Sequence, residues 1–297
     1  MKTIAVVNQK GGCGKTTTAI NTAAAFAEAG KRVLLIDLDP QAHATIGLGL
    51  DPDSFKCTIY DLLARDDQTL DGVVVDTRVQ NLSLAPCNVL LASAELELGS
   101  LPGKELLLAR GLRDARDTYE ICVIDCPPSL GVLTLNALVA STDIVVPVQV
   151  HYYALEGLKR LLETIRIIRD RFHPYSMENI SLLLTFVEER RTFSRQIQQQ
   201  LRDIFDDLVF DTVVHRDVRL AESPSAGEPV LTYAARSRGA NDYRALACEV
   251  LTGEARTEEP AESRVRRGIQ KHLSNLFEGV WIPKRMRSIA PGSFEST

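Results

Sequence analysis

The run Gly11-Gly12-Cys13-Gly14-Lys15-Thr16 is the part of this sequence best suited to chemistry. Closely spaced glycines let backbone N–H groups converge on phosphate oxygens, and a helix starting directly behind them adds partial positive charge. In such a loop the lysine reaches the β- and γ-phosphates and the hydroxyl beside it ligates Mg²⁺. Those roles fall to Lys15 and Thr16, with Thr17 placed for the α-phosphate. The usual spacing, G-x-x-x-x-G-K-[ST], requires glycine at position 9, where this chain has Gln9. It carries instead an additional lysine, Lys10, at the start of the loop, and this is the defining departure.

Two carboxylates extend the site. Asp39 follows the apolar stretch Val33–Asp37, and Asp125 closes the stretch Ile121–Ile124. Ligands of open α/β sheets bind at the carboxyl ends of strands. Both acids are therefore expected beside the phosphate loop, with Thr16, Asp39 and Asp125 around the cation. A lone Asp after a strand is more often a helix cap; two of them together with a phosphate loop reverse that preference.

The elements that must hold these residues are legible as short runs rich in Val, Ile and Leu. They are Thr3–Val7, Arg32–Ile36, Ile121–Ile124, Ile144–Val148, Ile180–Thr185 and Val209–Val214. Continuous apolar runs of this length suit strands buried on both faces of a parallel sheet. Helical spacing marks Thr16–Ala29, closed by Gly30, and also Glu105–Arg116, Ala154–Phe172, Phe193–Phe205 and Gly239–Leu251. Alternating strands and helices predict an α/β fold, a doubly wound and mostly parallel sheet with helices on both faces.

This domain is expected to occupy residues 1–252. Residues 253–263 read as a polar, acidic linker, and 264–297 as a basic, partly amphipathic extension. The extension carries Leu273, Leu276, Phe277, Val280 and Trp281 at helical spacing, a stripe that docks on protein more often than on a membrane. The 297 residues are 45% hydrophobic and 25% charged, which excludes a disordered chain. No stretch approaches the length of a membrane span. Six scattered cysteines without a C-x-x-C pair argue against a disulfide framework or zinc site, and a reducing cytoplasm is the expected compartment.

Taken together, Lys10–Thr18, Leu35–Gln41, Ile124–Gly131, Thr134–Leu138, Pro147–Gln149 with Tyr152–Gly157, Val218–Ser225 and Ser237–Ala240 resemble the ParA/Soj family. These are P-loop ATPases of the deviant Walker A type, in a wider group with MinD and nitrogenase iron protein. The resemblance spans about residues 1–251. It implies ATP and Mg²⁺ as cofactors and an ATP-dependent homodimer. Lys10 then resembles the signature lysine that crosses to the partner's nucleotide and offsets transition-state charge, as an arginine finger does. Asp39 resembles the carboxylate that positions the attacking water. Asp125 resembles the Walker B residue, and Gly131 the hinge of a switch loop sensing the γ-phosphate. The implied function is an ATP-driven switch that partitions DNA, with non-specific DNA binding by the dimer and stimulation by a ParB-type partner.

The alternatives belong to other classes. A MinD-like regulator would position a protein cargo or act at a membrane, with the tail as its route. An iron–sulfur ATPase needs two exposed cysteines from each subunit, whereas Cys13 lies in the phosphate loop and Cys87 lacks a ligand context. A metabolic kinase needs a second substrate site, and none is visible.

Composition gives DNA little support. Net charge is −5, and residues 1–252 alone carry −7. The resemblance maps DNA-contacting arginines to Arg190, Arg191, Arg195, Arg216 and Arg219. The segment 188–222 nevertheless holds six arginines against eight acids, and Glu188-Glu189 and Asp217 depart from the family's usual pattern. Any DNA-binding face must therefore be gathered by folding and doubled by dimerisation.

Overall fold

The computed structural model describes residues 1–253 apart from 66, 152–153 and 173–178. Most of the predicted linker, the predicted basic extension and the two tyrosines of the Tyr152–Gly157 segment lie outside the described residues. The strands are β1 (Lys2–Val6), β2 (Val33–Asp37), β3 (Val75–Asp76), β4 (Leu82–Ala85), β5 (Ile121–Asp125), β6 (Asp143–Gln149), β7 (Asn179–Val187) and β8 (Val209–His215). They form one sheet in the order β3-β4-β2-β5-β1-β6-β7-β8. Every pairing is parallel except β3 with β4.

Side chains alternate across the sheet, so each strand feeds two cores. Leu34, Ile36, Cys122, Ile124, Ile144 and Val146 pack on one face with Leu133, Leu138 and Leu161. Val33, Leu35, Ile121, Val123, Ile4 and Val6 pack on the other with Ala19, Ala23, Phe26 and Tyr243. Both layers are helical, as the apolar runs required. Residues Val33–Asp37 and Ile121–Asp125 are buried at every position.

The helix Lys15–Glu28 packs on the sheet beside the long helix Arg238–Gly253, which itself lies against β8. Its Ala19, Ala23, Ala24, Ala25 and Ala27 permit close approach on both sides. Burial of Phe26 contributes about 1.5–3 kcal/mol. At its C-terminus Gly30 donates to the Ala27 carbonyl and Lys31 to that of Phe26, the paired bonds of a Schellman cap. Asn21 fastens the next layer: its side-chain amide donates to the Thr17 carbonyl and its Oδ1 accepts from the buried Val230 N–H at 2.7 Å.

Four parts of the chain differ from expectation. Glu105–Arg116 is not one helix but a 3-10 turn, the helix Leu107–Gly111 and a second 3-10 turn. Gly111 is a weak helix former, and its bare Cα packs against the Leu62 side chain. The helix Val132–Ala140 carries no polar stripe because it is buried nearly all round, so its sequence shows no amphipathic period. Strands β3 and β4 are two and four residues long, too short to stand out as apolar runs.

Candidate functional site

The glycine loop joins β1 to the helix Lys15–Glu28 at the carboxyl end of the sheet. Chain order reverses here: β1 has β5 on one side and β6 on the other. Gly12 has φ +72° and Gly14 φ +93°, left-handed values that a side chain resists. They turn the loop so that the helix starts directly at Lys15. Cys13 is buried, and its carbonyl accepts a hydrogen bond from the Thr185 hydroxyl at 2.9 Å. Phe186, which itself has φ +55°, sets its ring against Gly14. The end of β7 therefore braces the loop, a contribution the sequence did not reveal.

Lys15 is only 7% exposed, and its Nζ donates to the Lys10 carbonyl at 3.2 Å. The ammonium is thus held across the loop mouth, where incoming phosphate oxygens can replace one carbonyl. Lys10 is exposed on the rim. Its N–H donates to Asn8 Oδ1, while its Nζ donates to Gln149 Oε1 at 3.2 Å and meets His151 Nε2. The lysine that departs from the usual motif thus rests on its own subunit, at the end of β6.

Asp125 and Asp37 end adjacent strands in register, and both are completely buried. Asp37 was not among the expected site residues. Its Oδ2 accepts from the Thr45 N–H and hydroxyl, both at 2.7 Å, and its Oδ1 from the Asp39 N–H at 3.3 Å. Burial pushes its carboxyl up to about 6, against the pull of the Thr45 bonds. Asp39 is nearly buried, with Oδ1 accepting from the Gln41 N–H at 3.0 Å. Cys87 completes the bracket, its N–H donating to the Thr45 hydroxyl and its thiol to the Asp39 carbonyl.

Asp125 is different. Both its carboxylate oxygens are buried without a hydrogen-bond partner. Burial first, then the charge of Asp37, pushes its carboxyl well above the usual range; the Thr16 hydroxyl, close by but outside hydrogen-bond geometry, pulls it down. Hard anionic oxygens left unsatisfied beside a phosphate loop suit a small divalent cation. Among the described residues no group of three or more His, Cys, Asp or Glu side chains forms a complete metal cage. Mg²⁺ commonly takes one or two carboxylates plus phosphate oxygens and water, and Asp125 with Thr16 and the nearby Asp39 fits that pattern.

Gly131, expected as a hinge, is the N-cap of the helix Val132–Ala140. Its φ of −82° and ψ of −167° are open to any residue. A Cβ there would meet the carboxylate of Glu95, the far end of a flexible side chain that can move aside. Glu95 Oε1 is buried and lacks a hydrogen-bond partner. Neither end of this contact could be read without the fold.

The five expected arginines do converge. Arg190, Arg191 and Arg195 follow β7, Arg216 and Arg219 follow β8, and all are exposed at one end of adjacent strands. Several are already paired, Arg191 and Arg216 with Glu188 and Arg219 with Glu222. Asp217 is structural: Oδ1 caps Arg219 N–H at 2.9 Å, and Oδ2 accepts from Gly239 N–H at 2.8 Å.

Fold and loop together define the P-loop nucleotide-binding class, in its deviant form with the extra lysine. Residues 1–182 match a family model described as an AAA domain. The chain is 45% identical over 249 residues to the sporulation initiation inhibitor protein Soj of Bacillus subtilis, covering 84% of this chain and 98% of that protein. It is 42% identical to the chromosome partitioning protein ParA of Myxococcus xanthus, over 84% of this chain and 87% of that one. This chain belongs to the ParA/Soj family of partitioning ATPases. A solved structure of cobyrinic acid a,c-diamide synthase from Mycobacterium smegmatis, with bound ATP analog and magnesium, superposes with TM-score 0.76. It is 34% identical and covers 88% of this chain and 98% of its own. MinD from Pyrococcus horikoshii shares the fold, with TM-score 0.69 at 23% identity over 85% of this chain and 98% of its own.

Proposed function

We propose that this chain is an Mg²⁺-dependent ATPase that dimerises on ATP, binds DNA without sequence preference as the dimer, and lets go after hydrolysis. A ParB-type partner accelerates the cycle. The observation that carries the reading is the pair of unpartnered, buried Asp125 oxygens beside the glycine loop. An uncompensated buried carboxylate is costly, and a bound cation offsets that cost.

In this reading the loop N–H groups and Lys15 grip the β- and γ-phosphates, and Thr16 with Asp125 holds the cation. Mg²⁺ held there would supply positive charge against the charge that develops on the transferred phosphoryl group. Asp39, braced by Asp37 and Gln41, orients the attacking water. Lys10 leaves Gln149 and His151 to reach the partner's nucleotide; its exposure on the rim supports that movement.

The test is ATP hydrolysis together with DNA binding over a salt series, with ATP, ADP or no nucleotide, using the whole chain and a form ending at residue 252. ATP-dependent, salt-sensitive binding is expected, and Lys15→Ala should abolish nucleotide binding. DNA binding that ignores nucleotide would overturn the switch. Binding only to anionic vesicles, lost with the tail, would favour a MinD-like positioning role.

A further inference from the structure

The acidic pair Glu188-Glu189 opens the loop after β7, inside the arginine-rich face, and the proposed cycle gives it no task. Glu188 is one carboxylate shared by two guanidinium groups from different elements. Its Oε2 lies 2.7 Å from Arg191 Nε and its Oε1 3.0 Å from Arg216 Nη1. Arg216 is also tied by its N–H to the Val187 carbonyl, so this pair joins the ends of β7 and β8. Glu189 does the same one residue on. Its Oε2 lies 3.0 Å from Arg238 Nη2 and its Oε1 3.1 Å from His215 Nε2. His215 is held from its other side by Asp242, at 2.9 Å from Nδ1.

Two carboxylates thus occupy basic side chains from the β7 loop, the end of β8 and the start of the helix Arg238–Gly253. The arginines are more than half exposed at their side chains, so a polyanion can reach them. A carboxylate bridging two guanidinium groups sits where a phosphodiester oxygen pair would sit.

We propose that Glu188 and Glu189 are an internal competitor for DNA, occupying the arginine face with carboxylates that phosphates must displace. The inference rests on the DNA-binding reading above and adds its regulation. Solvent-exposed ion pairs are weak and screened by salt, so the competitor is displaceable. It sets a threshold that a single subunit does not pass and that two faces in one ATP dimer do. It also accounts for a binding surface inside an acidic domain: the arginines are neutralised until phosphate replaces carboxylate.

The test compares the full-length protein with its Glu188→Gln/Glu189→Gln variant. Random-sequence duplex DNA is titrated from about 50 to 200 mM salt with ATP, ADP and no nucleotide, and elution from heparin resin is recorded. An equal-charge control, Asp114→Asn/Asp117→Asn, removes two exposed acids at the opposite end of the sheet, ahead of β5. Each phosphate newly neutralised steepens the log–log salt slope by about 0.9. The variant should bind DNA about tenfold more tightly at low salt, with a slope steeper by about 1–2. It should also bind with ADP and elute later from heparin, while the control moves much less. Unchanged or weaker DNA binding by the variant, with the wild type still binding, overturns the competitor and leaves DNA binding standing. An equal shift in the control also overturns it, by reducing the effect to net charge. Later heparin elution without DNA binding by either protein supports the competitor and rejects DNA as the physiological polyanion.

Discussion

Asp37 and Asp125 stand opposite each other on β2 and β5, both completely buried, yet only Asp37 has its oxygens satisfied. Adjacent strands lie about 4.8 Å apart, so these are like charges at close range in a dry interior. The charge of Asp37 resists the ionisation of Asp125, and that of Asp39 adds to the burial that raises Asp37. The proposed cycle divides their labour: Asp37 would build the bracket that aims Asp39, and Asp125 would keep its oxygens free for a cation.

Asp37→Asn therefore disturbs aim rather than binding. An amide replaces one acceptor oxygen that faces N–H donors, and Asp39 shifts with its backbone. Hydrolysis should fall by about 10²-fold, the scale of a small misplacement in a catalytic group. Nucleotide affinity, measured with a fluorescent ATP analogue, should change little. Equal loss of both would assign Asp37 to the binding machinery.

Asp125→Asn removes the buried charge and, in the proposed reading, the cation's ligand together. Without nucleotide the variant should melt at or above the wild-type temperature, because burial no longer strands an ionised group. Hydrolysis should drop by about 10²–10³-fold. The extra thermal stability that Mg²⁺ with ATP gives the wild type should largely vanish. Wild-type stabilisation by Mg²⁺ in the variant would refute the assignment.

Gly131→Ala places a methyl group against the Glu95 carboxylate. That carboxylate ends a flexible side chain and can swing away, so the cost should stay at about 1 kcal/mol or less. Glu95→Ala in the same chain should recover most of the loss. A double variant no better than Gly131→Ala would mean that the glycine serves another conformation of the loop.

His151 gives a pH dependence with a definite sign. Burial, and then the Lys10 ammonium, hold its imidazole below the ordinary value of 6.5. The unfolded chain therefore binds this proton more readily than the folded one, and stability falls as pH drops through 6.5. Protonation also removes the Nε2 lone pair that faces Lys10. Urea midpoints between pH 7.5 and 5.5 should fall less in His151→Gln than in the wild type; parallel curves would exclude His151 from the effect.

The sequence by itself determined the sheet's central strands, the phosphate loop and the loop's extra lysine. Continuous apolar runs and a glycine-rich strand-to-helix turn are local signals, so Lys10, Lys15, Thr16, Asp39 and Asp125 could be named from spacing. Only the tertiary structure decided the rest, because it depends on neighbours far apart in the chain. Asp37 acquires its role from Thr45 and from Asp125 across the sheet. Gly131 meets the carboxylate of Glu95, a neighbour distant in the chain. The arginines lie along the chain in a stretch, 188–222, where six of them meet eight acids. They become a basic face with built-in carboxylates only when β7 and β8 bring their ends together, because charge acts over distance in space and not along sequence.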